Sequence, residues 1–324
     1  MIDLLKKLML TPSVSGREDK IREVIKNEVE PYVDEVIIDP VGNLIAHKKG
    51  NGKKIMFCAH MDEIGFFANY ITDKGFIKIS SIGGISYLAS SYTEVVSEKG
   101  VTGVLIPEKT DEIPKAEAMY IDIGAKNKKQ AESKVEPGDF FVVKPSIKRL
   151  MNQRYIGRPF DDRVGCAILI EVLKQTKSDN DLYFVFSVQE EVGSRGAKPA
   201  TYTIKPDIGI ALDVTATGDR PGDKTLDVSL GKGCAIKIKD DSVICNPTLV
   251  KEMRRIAEEN GVKYQNEVLL FGGTDTSVIQ TTAGGCVAGA ISIPSTNIHS
   301  SVEMIDMVDV KEAVKLTTLL ANNL

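Results

Sequence analysis

The chain has no tryptophan and only three histidines in 324 residues. Any imidazole chemistry therefore has to use His47, His60 or His299. Long apolar runs are missing too. The longest, such as residues 166–173 and 182–188, fall far short of the ~20 residues of a membrane helix. Cysteine is scarce and carries no pairing pattern: Cys58, Cys166, Cys234, Cys245 and Cys286 are odd in number and include no C-x-x-C. Such thiols read as reduced, in a cytoplasmic protein. No single sign of charge dominates, since 41 Lys and Arg against 45 Asp and Glu leave a net charge of −4. That balance argues against a nucleic-acid partner, and the short basic run at 126–129 reads as a solvated loop. Met1 leads straight into a charged, amphipathic segment with no apolar h-region, so no signal peptide is expected.

What is present supports a large core. Hydrophobic residues make up 42% of the chain, enough for one large domain or two of ordinary size. Ser15 and Glu18 have the S-x-x-E spacing of a helix capping box, with Ile21, Val24, Ile25 and Val29 on one face behind it. Residues 36–38 and 43–47 read as a strand pair, and 55–59 as a buried strand with His60 at its end. Residues 68–154 alternate short β-like runs with turn signals such as Lys99-Gly100 and Pro137-Gly138. That stretch reads as an inserted all-β domain.

Helical and strand patterns alternate again after Asp162. Residues 164–173 read as a buried helix, and 182–188, 208–212 and 287–293 as central strands covered on both faces. Residues 249–257 carry a helical stripe that stops near Gly261, and 310–320 form a closing helix. The expected fold is α/β, with a mixed, mostly parallel sheet flanked by helices. The catalytic domain would be discontinuous, 1–67 plus 155–324, with the β-rich insert between.

Acids and imidazoles gather where these strands end. In His60-Met61-Asp62 the carboxylate can accept the second ring N–H and fix the imidazole. A satisfied surface His-Asp pair would look the same. Asp161-Asp162 opens a helix, where two acids serve as caps, but Asp161 can also project into a cleft and bridge two metals. Glu190-Glu191 follows a buried strand. There one acid can ligate a metal while its neighbour acts as general base on a water, and a plain solvated strand exit is the alternative. Asp213 is expected to end the strand 208–212, and His299 to lie in a polar loop after 287–293. His47 reads as structural. Taken together, the set makes up a co-catalytic two-metal site of a hydrolase.

In combination, five motifs resemble the tetrahedral (TET) aminopeptidases, also called the glutamyl or deblocking aminopeptidase family. They are Ala59-His60-Met61-Asp62-Glu63-Ile64-Gly65, Phe160-Asp161-Asp162-Arg163-Val164-Gly165, residues 190–197 beginning Glu190-Glu191-Val192-Gly193, Gly272-Gly273-Thr274-Asp275, and Ile298-His299-Ser300. The resemblance runs the whole length. It implies a phosphorylase/hydrolase-like metallopeptidase domain interrupted by a small β-rich domain. It also implies that His60 and Asp213 hold one divalent metal, that Glu191 and His299 hold the other, and that Asp161 bridges them at a separation of about 3.5–4 Å. Glu190 would be the general base and Asp62 the support of His60. Zinc or cobalt would suit the site, with manganese a further candidate. The substrates would be peptides, and copies would self-associate, from dimers up to hollow twelve-subunit tetrahedra.

The chain departs from the family in one place. Many members carry an Arg and an aromatic shortly before the last His, where this chain has Pro294-Ser295-Thr296-Asn297. That leaves the residue preference open. Three other readings compete. An N-acyl amino acid deacylase would share the site. A glycosidase needs two carboxyls flanking its bond and no imidazoles. A non-catalytic cage subunit would be expected to have lost a ligand.

Overall fold

The computed structural model describes residues 1–109, 112–222 and 225–324. In chain order the strands are β1 Glu35–Ile38, β2 Leu44–Lys48, β3 Lys54–His60, β4 Gly65–Ile71, β5 Ile77–Ile82, β6 Glu94–Ser97, β7 Thr102–Pro107, β8 Met119–Asp122, β9 Phe140–Val143, β10 Ser146–Arg149, β11 Arg154–Arg158, β12 Asp181–Ser187, β13 Ile208–Ala216, β14 Cys234–Lys239, β15 Tyr264–Val268, β16 Val287–Thr296 and β17 Glu303–Asp306. They form two sheets. The larger runs β1-β2-β12-β3-β13-β16-β17-β11-β10, with β14 joining β16 and β15 joining β14. The smaller closes into a barrel, β4-β5-β8-β7-β6-β9.

The large sheet is mixed. Its central strands β12, β3, β13 and β16 are parallel, and its flanks are antiparallel except for the parallel pair β14–β15. The centre is parallel because both its faces are covered. Along β3, Ile55, Phe57 and Ala59 join one core while Met56 and Cys58 join another, as the two-residue period of a strand requires. Helices Ile2–Met9, Arg163–Gln175 and Met307–Asn323 pack on the first face, and Ala197–Ile204 and Thr276–Thr281 on the second. The barrel has its own interior, built from Phe66, Ile77, Ile79, Leu105, Ile121 and Phe141. Its strands lie between Gly65 and Val143, whereas β10 and β11 pair into the large sheet through β17.

Two local expectations are corrected. Ser15 does not cap the helix Asp19–Val29, whose N-cap residue is Glu18 and which has no side-chain cap bond. Glu18 instead accepts the amides of Gly16 and Gln189. Asp213 lies inside β13, not at its end, because the strand continues to Ala216. Elsewhere Arg163, fully buried, donates to the carbonyls of Leu8, Thr11 and Ser13 and pairs with Glu63 at 3.3 Å. That bond set ties the N-terminal segment to the helix behind the site.

Candidate active site

A cavity of about 790 Å³ opens over the central strands, lined by His60, Asp161, Glu190, Glu191, Asp213 and His299 among others. β3 delivers His60 from a fully covered strand, and the ring is 2% exposed. Its Nε2 lies 3.1 Å from Asp161 Oδ1 and 3.8 Å from Asp213 Oδ1. Its Nδ1 faces Asp62, 3.4 Å from Oδ1 and 3.2 Å from the carbonyl. The Asp161–Asp162 peptide is cis. Asp161 Oδ2 is 3.2 Å from His299 Nε2, which stands at the same distance from Glu191 Oε2. Asp161 therefore presents one oxygen to each imidazole. Asp213 Oδ1 accepts the amide of Val214 at 2.7 Å.

Asp62 does more than orient a ring. Fully buried, it accepts Ser15 Oγ at 2.6 Å and the amides of Glu190 and Glu191 at 3.1 and 3.3 Å. One carboxylate thus fixes His60 and the turn that carries both glutamates. Gln189, just before that turn, has φ of 55°, and Asn297 and His299 have φ of 59° and 61°. Non-glycine residues in the left-handed region cluster where function requires an unusual backbone. Glu190 Oε1 accepts Ser194 Oγ at 3.2 Å.

The barrel also reaches the site. Gly83 has φ of +73°, and a Cβ there would lie 2.5 Å from Ile64 Cγ2 and 3.2 Å from Glu191 Cβ. Gly84 lines the cavity beside His299, whose carbonyl accepts the Ser86 amide at 3.2 Å.

Asp162 caps the helix Arg163–Gln175 through the amide of Gly165 at 3.0 Å. It also stands within metal-ligand reach of His60 and Asp213. Gly272, Gly273 and Thr274 line the cavity. Asp275 is buried below them and accepts Ser187 Oγ and Cys58 Sγ. His47 is remote, stacked on Tyr183 and 2.7 Å from Asp181. Glu303, which the sequence did not single out, accepts the amides of Phe160 and Asp161 and pairs with Arg158. Its only sequence signal is an acid in a short strand close behind His299.

Charge does not balance at this site. Burial pushes Glu190, Asp213 and Asp162 well above the ordinary carboxyl range. Burial and the charge of Asp161 raise Glu191. Asp161 itself is held low: burial would raise it, but His299 and His60 outweigh that. Burial opposes the charged form of His299, yet Asp161 and Glu191 push it up to about 11. Glu191 Oε1 and Asp162 Oδ2 are buried without a hydrogen-bond partner. Buried excess carboxylate is costly unless cations pair with it. Two groups here, His60-Asp161-Glu191 and His60-Asp162-Asp213, bring ligand atoms within 4.8 Å of one another. Nitrogen and oxygen donors of this kind fit divalent transition metals.

The chain resembles known proteins over its whole length. A protein of Acetivibrio thermocellus is 47% identical over 320 residues, 98% of this chain and 97% of its own. An aminopeptidase from the archaeon Desulfurococcus kamchatkensis superposes with a TM-score of 0.97 at 36% identity, covering 100% of this chain and 94% of that one. The TET1 peptidase of Pyrococcus horikoshii, described as assembling into a tetrahedron or a large octahedral shell, gives 0.90 at 36% identity, over 100% and 99% of the two chains. The family model for M42 glutamyl aminopeptidase matches residues 42–316, so the chain belongs to that family and is a peptidase.

Proposed function

We propose that the protein removes N-terminal residues from peptides with the help of two divalent metal ions, and that Glu190 is its general base. The observation that carries this reading is Asp161, whose two oxygens face the two imidazoles while neighbouring carboxylate oxygens lack partners. His60, Asp213 and Asp161 would hold one ion, and Glu191, His299 and Asp161 the other. Zinc, cobalt and manganese all suit these donors. When bound, such ions acidify a water and polarise the carbonyl of the first peptide bond.

The chain's own residues supply the rest. Burial gives Glu190 a raised proton affinity, which suits a group that takes a proton from the attacking water and returns it to the leaving nitrogen. Asp62 accepts from His60 Nδ1 and leaves Nε2 facing Asp161. The carboxylate-rich wall offers the free α-amino group of a peptide a counter-charge, which favours cleavage at the N-terminus.

Assembly belongs to the same proposal. The likeness to a shell-forming peptidase supports self-association between dimer and dodecamer, with the closed barrel as the oligomerisation and chamber-lining unit. The free thiols Cys58, Cys166, Cys234 and Cys245 are buried, in keeping with a cytoplasmic setting.

The test is Glu190→Gln. The variant is expected to keep its metal content and lose cleavage of free-amine aminoacyl substrates. Near-full activity would remove Glu190 from the role. Cleavage of N-acetylated substrates in place of free-amine ones would establish a deacylase.

A further inference from the structure

A second group of buried charges shares the cavity. Lys237 on β14 lines it and is only 1% exposed. Its Nζ bonds Glu267 Oε1 on β15 and lies 3.1 Å from Asp240 Oδ2. Thr215 is two residues beyond Asp213, so both project from one face of β13. Thr215 Oγ1 donates to Glu267 Oε1 at 2.9 Å. The Lys237 group is therefore tied to the strand that carries Asp213.

One ammonium and two carboxylates sum to −1. Burial works against the ammonium, but Glu267 and Asp240 more than offset it and keep Lys237 charged. Its Nζ hydrogen-bonds Glu267 and is held by Asp240 as an ion pair. Beyond the metal-ligand set and Glu190, the described cavity lining carries charge only at Lys237 and Arg220, and Arg220 is exposed. Away from that set, a basic side chain meets no carboxylate among the described lining residues. An acidic one meets an ammonium backed at contact distance by two carboxylates. Either would shed water without gaining an unmatched partner, which is unfavourable. An uncharged side chain meets Leu226, Leu269, Val278 and the hydroxyl of Ser277.

We propose that Lys237, Glu267 and Asp240 form an internally paired triad that makes the cavity select uncharged N-terminal side chains. The inference rests on the aminopeptidase reading, and it gives this chain a preference other than the one in its family's name. Lys237 is the specificity-determining residue, and the two carboxylates determine what its charge can do.

The experiment compares kcat/KM of the full-length, metal-loaded protein on Leu, Gln, Glu and Lys aminoacyl substrates. Gln and Glu are nearly isosteric, so their ratio isolates charge. Wild type is expected to favour Leu and Gln over Glu and Lys by about tenfold or more, the range open to side-chain discrimination. Glu267→Gln and Asp240→Asn each remove one negative charge, so that the ammonium is left with a single carboxylate and the cluster no longer repels an acidic side chain. Either should raise the Glu:Gln ratio by about tenfold. A wild type that prefers Glu or Lys overturns the proposal. So does an unchanged Glu:Gln ratio in both variants while Gln cleavage persists. If neither variant folds, the wild-type profile alone decides. No cleavage of any substrate after metal is restored defeats the aminopeptidase reading itself, an outcome distinct from a preference for Glu.

Discussion

Two buried charge clusters face one cavity, and they solve the same problem differently. Around His60 and His299, carboxylates outnumber imidazoles, and Glu191 and Asp162 keep oxygens without partners. Around Lys237, the cation is supplied by the chain, and Thr215 fixes the arrangement. The first cluster is built to be completed from outside. The second carries its own cation, although Glu267 and Asp240 also each keep one oxygen without a hydrogen-bond partner. Low dielectric makes either design costly if one charge is missing, so removing one member from each should have different consequences.

The largest difference should appear on chelation. Stripping divalent ions is expected to abolish peptidase activity and lower the thermal midpoint, since a ligand bound only to the native state stabilises it by mass action. Adding back zinc, cobalt or manganese should restore both, read by calorimetry and turnover on one sample. The Lys237 cluster should contribute nothing to that shift. A midpoint indifferent to chelator would erase the contrast. Next in size is Glu190→Gln, where loss of a general base should lower kcat by about 10²–10⁴-fold with metal stoichiometry intact.

Breaking the second cluster reads in stability. Lys237→Met strands two buried carboxylates and should cost about 3–5 kcal/mol in urea unfolding. A cost under about 1 kcal/mol, the range of an exposed pair, would show the triad to be solvated. The smallest effect belongs to Ser15→Ala. Asp62 loses one donor and keeps two amides, so about 1 kcal/mol of stability should go. A modest fall in kcat without a change in KM should accompany it, because Ser15 touches Asp62 and does not line the cavity.

Much of this site could be read from the chain because its chemistry sits next to strong hydrophobic signals. The run before His60 is buried on both faces, and an apolar strand that stops at an imidazole or a pair of acids is conspicuous. Asp213 was harder to place. Its strand continues past the apolar run through Thr215, whose side chain faces a polar cavity, so hydrophobicity fades before the hydrogen bonding does. Ser15 and Glu18 misled because the S-x-x-E spacing suits a capping box and also suits two separate long-range bonds, to Asp62 and to Gln189. Local pattern cannot separate those cases. Lys237 and Glu267 are 30 positions apart, and only the pairing of β14 with β15 makes them neighbours. β10 and β11 carry the same β-like signals as the barrel strands before them. Which sheet they join is set by β17, far along the chain.

Gly83 has one further consequence. The barrel meets Glu191 there through bare backbone, at a φ that favours glycine and with Ile64 too near for a methyl group. Even alanine at this position would have to displace Ile64 and press on the glutamate that faces His299.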